Sequence, residues 1–297
     1  MNRIDLRTLA LLAVGVGAVS LAAPLIAATA VPALAIAFWR TAFATAAIAP
    51  VAAVRQRGEL AGLTARQVLG VVVAGCCLAA HFGFWITSLG MTSVASSTAI
   101  VSLQVIWVIA WDRSQGTVLG RPVLLGVLAA TTGAIVVSGF DLSISTRALA
   151  GDALALVGSV AVAAYAVIGG RVRQQLSTTS YTLICYGTCA VVLLVAAVAR
   201  GQALGGYDRE AWLKLLLLTA TAQLLGHSVF NYLLGRLSPM VTSMAILLEI
   251  PGASLIAAAW LGQVPEAGAV AGLVLILAGI AMVVRSAPPA EPATAPA

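Results

Sequence analysis

The sequence holds two histidines, His81 and His227, and each sits in a stretch that is otherwise apolar. His81, Trp85 and Ser88 fall at i, i+4 and i+7, which puts an imidazole, an indole and a hydroxyl on one face of a helix. Gln223, His227 and Asn231 make a second stripe of the same kind, with two amides. Glu249 and Gln104 place a carboxyl and an amide in two further apolar runs, Trp107 lies one turn from Gln104, and Tyr165 and Arg40 stand in two more. Such groups donate and accept hydrogen bonds, and imidazole is the side chain that titrates nearest neutral pH, so together they suit the binding of a polar solute or the passage of a proton. The usual signatures of hydrolysis or ATP use, HExxH, GxSxG and Walker A, do not occur. An intramembrane enzyme built on His81, His227 and Glu249 is a distant alternative, since no nucleophile stands at base spacing.

The elements that must carry these residues follow from composition. Of 297 residues 61% are hydrophobic and 9% charged, and the mean hydropathy is +1.05, which marks an integral membrane protein. A helix needs about 20 apolar residues to cross the hydrocarbon. Ten windows of that kind emerge, at 8–29, 33–54, 67–88, 92–111, 120–139, 149–170, 179–199, 211–234, 240–262 and 266–284. Barrel strands are shorter and alternate in polarity, which these windows do not, so the expected fold class is all-α with ten transmembrane helices.

With the N-terminus in the cytoplasm, eleven of the 16 basic residues fall on inner segments, among them Arg3, Arg7, Arg55, Arg57, Arg66, Arg113, Arg121, Arg171 and Arg173, and four on outer loops. That imbalance follows the positive-inside rule and predicts both termini cytoplasmic, in a bacterial inner (plasma) membrane. The net charge of +6 is therefore topological, and without basic runs interleaved with aromatics it gives no support to nucleic-acid binding. The first apolar stretch, with PALA at 32–35, can be taken for a signal peptide but is long for one. The tail 287–297 is rich in Pro and Ala and is expected to be disordered. Cys76, Cys77, Cys185 and Cys189 all fall in predicted spans and read as buried thiols.

The chain also repeats itself. AAHFGFW (79–85) has a counterpart in LGHSVFN (225–231), in which His227 follows His81 by 146 positions and Phe230 matches Phe84. Ser97 and Gln104 correspond at 145 positions to Thr242 and Glu249, and Gly126 and Gly133 at 146 to Gly272 and Gly279. Two copies of five spans, 1–142 and 143–286, enter the membrane from opposite sides because five is odd. That is the inverted-repeat architecture of secondary transporters, whose sites lie near the midplane between the halves. On that architecture His81 and His227 face each other's half across a central cavity.

AFWRTAF (37–43), SLQ (102–104), LLEIP (247–251) and WLGQ (260–263) resemble the EamA family of the drug/metabolite transporter superfamily, over nearly the whole chain. That family usually carries Leu-Gly-Glu after its fourth and ninth spans, whereas here Gln263 replaces the acid and the first copy reads WDRSQG (111–116). The resemblance implies an exporter of small metabolites, one branch of the family exporting amino acids, aromatic ones included. Substrate contacts are then expected from His81, Trp85, Gln104, Trp107, Tyr165, His227, Asn231, Glu249 and Arg40, with no cofactor or metal, membrane lipid and a small solute as partners, and a monomer as the working unit.

Each residue also has a plainer role. A histidine can bond a neighbouring carbonyl and pin two helices. Arg40, about eight residues from its span's outer end, can snorkel to the interface. Trp107 and Tyr165 can pack against lipid. Glu249 is expected to be the sole acid well inside a span, and Pro251, which cannot donate to the carbonyl of Leu247, is expected to kink the ninth span and leave that acceptor free.

Overall fold

A computed structural model of the chain describes residues 6–139, 145–264 and 267–286. Arg3, the join at 142/143 and the tail 287–297 lie outside the described residues. The described chain is helical, with no strand. Eight helices are long and apolar enough to cross a membrane: α1 (Leu6–Ala27), α2 (Ala33–Arg55), α3 (Ala65–Ser88), α4 (Val94–Ser114), α6 (Thr146–Arg173), α7 (Thr178–Ala199), α8 (Arg209–Leu234) and α9 (Pro239–Leu261). The fifth and tenth windows are α5 (Arg121–Gly139) and α10 (Ala267–Ser286), whose apolar stretches, Arg121–Val137 and Gly268–Val283, are shorter. The protein is thus an all-helical, multi-pass membrane protein.

The starts of these helices are written in the sequence. Ser93 Oγ accepts from the N–H of Ser96 at the head of α4, and Ser238 Oγ from that of Val241 at the head of α9. Thr64 and Gln67 close a capping box at the head of α3. Gly116 and Gly262, both at positive φ, end α4 and α9, where a left-handed residue without a Cβ is favoured.

Four helices are irregular, and in lipid each irregularity must satisfy its own backbone. α1 breaks at Leu21, three residues before Pro24, which has no N–H for the carbonyl of Ser20. α4 breaks at Ser102–Leu103 and α9 at Leu247–Leu248, again 145 positions apart. The expected free carbonyl of Leu247 is a correction: it accepts from the N–H of Ile250 at 3.2 Å, a tighter i to i+3 bond replacing the one Pro251 removes. Nor is proline the general cause, because Ile106 stands in α4 where Pro251 stands in α9, and α4 breaks all the same. In α8 a π-helical turn spans Thr219–His227, and the carbonyl of Gln223 takes both the N–H of Ser228 and its hydroxyl, the latter at 3.2 Å.

Elsewhere packing is close and regular. α5 and α10 cross backbone to backbone at the matched glycines: a Cβ on Gly133 would lie 2.5 Å from the carbonyl oxygen of Gly272, and one on Gly126 2.7 Å from that of Gly279. At the arginine-rich end, the short helix Arg57–Ala61 presents Glu59 to the head of α7, where its carboxylate accepts the N–H of Ser177 at 2.7 Å and the hydroxyls of Ser177 and Ser180. At the other end Gln263 Oε1 accepts from the N–H of Val94 at 3.2 Å, so the amide that stands in place of an acid still caps a helix of the other half.

Two outcomes test this packing. Gly133→Ala forces backbone apart and should cost about 1–3 kcal/mol, read as a lowered thermal midpoint in nanodiscs, whereas Gly17→Ala, which meets nothing within 4 Å, should leave it unchanged. Partial burial alone would raise the Glu59 carboxyl, but the Ser177 and Ser180 bonds and nearby Arg173 hold it below its ordinary 4.5. A depressed acid stabilises above its unfolded pKa and loses that contribution as pH falls through the folded value. Hydrogen exchange at Ser177–Ser180, corrected for intrinsic rate, should therefore quicken below about pH 4.5 in wild type and lose that pH dependence in Glu59→Gln.

Candidate functional site

The breaks in α1, α4 and α9 and the π-turn of α8 converge on one cavity. Its polar wall is His81 and Trp85 from α3, Ser102 and Gln104 from α4, His227 from α8 and Glu249 from α9. Val19, Val162 and Phe230 supply apolar wall from α1, α6 and α8. Gln104 and Glu249 each begin the segment after a break, which is how two polar groups come to lie buried in the middle of apolar helices. The cavity measures about 40 Å³, room for about one water. A ligand site of roughly 300 Å³ or more requires the walls to part, so this conformation is closed around the site.

Close contacts hold α1 against the irregular segments. A Cβ on Gly226, within the π-turn, would lie 2.6 Å from Val19 Cγ1, and one on Gly252 would lie 2.2 Å from Ser20 Oγ. On the opposite wall α3 is a plain α-helix. His81 Nδ1–H donates to the carbonyl of Gly158 in α6 at 3.1 Å, which leaves Nε2 of the neutral ring as an acceptor. The imidazole stacks on Trp85, centroids 5.6 Å apart and planes at 7°. His81 therefore pins two helices and lines the cavity at once. His227 sets its ring edge-to-face with Phe82 at 5.1 Å, so Phe82 bridges the two histidines.

Three buried wall groups have no hydrogen-bond partner among the described residues: Trp85 Nε1, Ser102 Oγ and Gln104 Oε1. A buried donor or acceptor left unmade costs about 1–3 kcal/mol, and sites that receive a solute are where such a cost is met.

The other expected residues lie outside the wall. Tyr165 donates to Asn231 Oδ1, and Asn231 Nδ2 donates to the Tyr186 hydroxyl at 3.1 Å, which in turn meets Ser228 Oγ at 3.2 Å. This buried chain of side chains ends at the π-turn. Ser228 also lines a groove of about 310 Å³ between α2, α7 and α8, with Ala47, Ile48, Thr178, Thr179 and Thr182. Trp107 does not reach the cavity: it is 39% exposed on the outer face and donates to Ser159 Oγ at 2.9 Å. Gln104 and Trp107 share the unbroken segment Gln104–Ser114, and the indole turns aside to Ser159. Phe84 and Phe230 also part company, 39% and 4% exposed.

Arg40 corrects the snorkelling expectation. Its side chain is 0% exposed, with Nε donating to Gln223 Oε1 at 2.9 Å and the guanidinium 4.2 Å above the Phe82 ring. Asp152, in the second turn of α6 and so near the end of its span, is a further buried acid, and it accepts from Ser96 Oγ at 3.1 Å. Its place near the start of the 149–170 window hid it, and nothing in the sequence pattern separates Tyr186 and Phe82 from ordinary core. Of the four cysteines, Cys185 and Cys189 are buried as expected, while Cys76 is exposed on the helix surface.

A polar cavity ringed by broken helices invites comparison with known proteins. Residues 149–285 match the EamA-like transporter family. That match, over the second half of the chain, supports a place in the drug/metabolite transporter superfamily and a role as a membrane transporter. No curated protein matches the chain. A solved structure described as "Crystal structure of protein" has the same fold, with a TM-score of 0.73 at 15% identity over 93% of this chain and 96% of that one.

The break in α9 yields a test. Pro251→Ala should leave it in place, because Leu247 already bonds Ile250 and α4 breaks without a proline. A structure of the variant should then keep the break, with the new amide at 251 on the carbonyl of Leu248 as Ile106 is on Leu103 at 2.9 Å, and an amide at 251 bonded to Leu247 would show a straightened helix.

Proposed function

We propose that the chain is a secondary transporter that exports small metabolites, amino acids with aromatic or apolar side chains foremost, across the bacterial plasma membrane by alternating access. The reading takes α5 and α10 as crossings, so that ten helices form two inverted halves, 1–142 and 143–286, with both termini in the cytoplasm and the monomer as working unit. Breaks at the same offset in α4 and α9, paired cap residues Ser93 and Ser238, and the facing glycines of α5 and α10 support the repeat. The observation that carries the function is the cavity itself: polar wall groups without partners, gathered where the backbone is irregular. His81, Trp85, Gln104, His227 and Glu249 are its substrate contacts, with Tyr165 and Asn231 supporting them from the layer behind. The rings and apolar walls favour a solute with an apolar side chain, and one buried arginine falls short of the paired cations a phosphate ester asks for.

Transport is passive on this reading, since proton relays often use several deep acids and only Glu249 faces the cavity. Proton-coupled antiport is the second reading, favoured by that same carboxyl. Proteoliposomes loaded with phenylalanine decide between them. Efflux that saturates and is unchanged by a pH gradient is expected, and Glu249→Gln should lower it by about tenfold or less. Uphill accumulation driven by a pH gradient and abolished in Glu249→Gln would establish antiport, and no flux under any condition would overturn the transporter.

A further inference from the structure

A cation held wholly out of water needs an anion. Burying an arginine at mid-membrane costs at least about 2.5–3.5 kcal/mol, and buried charges are ordinarily paired. Arg40 is fully buried, no carboxylate is in ion-pair contact with it, and both Nη1 and Nη2 lack a hydrogen-bond partner among the described residues. Its one polar contact is Gln223, whose Oε1 takes the Nε proton and whose own Nε2 is likewise buried without a partner. The Phe82 face supports the guanidinium but offers only a weak negative potential.

We infer that Arg40 and Gln223 form a buried subsite, adjoining the cavity, that receives the carboxylate of the transported solute. The Gln223 bond fixes the rotation of the guanidinium and leaves its two Nη groups as a fork. A planar fork of donors matches the two oxygens of a carboxylate, and the Gln223 amide adds a third donor. The subsite borders the cavity through two rings. Phe82, beneath the guanidinium, meets the edge of His227, which lines the cavity, and Gln223 stands in the same π-turn as His227. Glu249, His81 and His227, all cavity residues, lie within electrostatic reach of Arg40. A solute with its carboxylate on Arg40 can direct an ammonium toward Glu249, so both charges of an amino acid find a complement on different helices. Gln223 acts here as a positioning residue for Arg40 as well as a donor.

The inference rests on the transport reading, but binding tests it apart from flux. The full-length protein in nanodiscs is titrated by calorimetry with 3-phenylpropionate, with the isosteric 3-phenylpropionamide, and with chloride. The acid should bind at least about tenfold more tightly than the amide, the strength of a charge-assisted pair, and should displace chloride. Arg40→Met should erase the preference for the acid. Arg40→Lys should retain part of it, and Gln223→Leu should weaken the acid by about tenfold while leaving the amide unchanged. Equal binding of acid and amide, chloride that the acid does not displace, or a carboxylate preference that survives Arg40→Met would each overturn the subsite. Should the variants fail to fold, the wild-type comparison of acid with amide decides alone. Proteoliposomes that move phenylalanine and phenylalaninamide equally would overturn the subsite and keep the transporter, whereas a protein that binds the acid selectively and moves nothing would do the reverse.

Discussion

Backbone amides and carbonyls in hydrocarbon have no water to fall back on, and the architecture follows from how this chain meets that demand. Through most of the described residues regular helices meet it, and the breaks gather around one cavity. There α1, α4 and α9 break and α8 widens into a π-turn, each closing its own bonds by a shorter or longer loop of the ladder. Because a break exposes helix ends, side chains that head a new segment, Gln104 and Glu249, can face inward with their backbone satisfied. The polar site is thus a by-product of irregular backbone, confined to the one place where irregularity is enclosed by protein.

Much of this was legible before any coordinates. Apolar length located the helices, and the 145- and 146-position offsets paired the histidines, Ser97 with Thr242, Gln104 with Glu249, and the glycines that meet between α5 and α10. What escaped were consequences of packing. Pro24 signals the break in α1 as clearly as Pro251 does in α9, but α4 breaks without any proline. A helical wheel puts Trp107 beside Gln104, but its indole turns to the Ser159 hydroxyl and stays 39% exposed. Arg40 looks like a snorkelling residue by its distance from the span's end. Only the position of Gln223, 183 residues away, explains why it turns inward.

On the proposed two-repeat reading, the halves share a plan and differ in detail at the site. α3 is regular and anchored by His81 to Gly158, while its counterpart α8 is wound wide and gripped by α1 at Gly226. Tyr165, Asn231, Tyr186 and Ser228 bond one another on the α8 side, whereas the facing side relies on stacked rings. The groove bounded by Thr178, Thr182 and Ser228 lies beside the looser wall.

The π-turn carries a consequence for direction. On the proposed inverted repeat, identical halves would make the states open to either side two-fold related, equal in free energy and equally populated. The π-turn of α8 removes that degeneracy, because the helix that carries it has a different winding and set of partners from α3. A bias of only about 1.4 kcal/mol tips the resting population tenfold toward one side of the membrane. On the passive reading proposed above, the carrier has no fuel of its own, obeys detailed balance and cannot pump. It can nonetheless wait with its door facing the side where solute accumulates, and so respond faster to excess on that side than on the other.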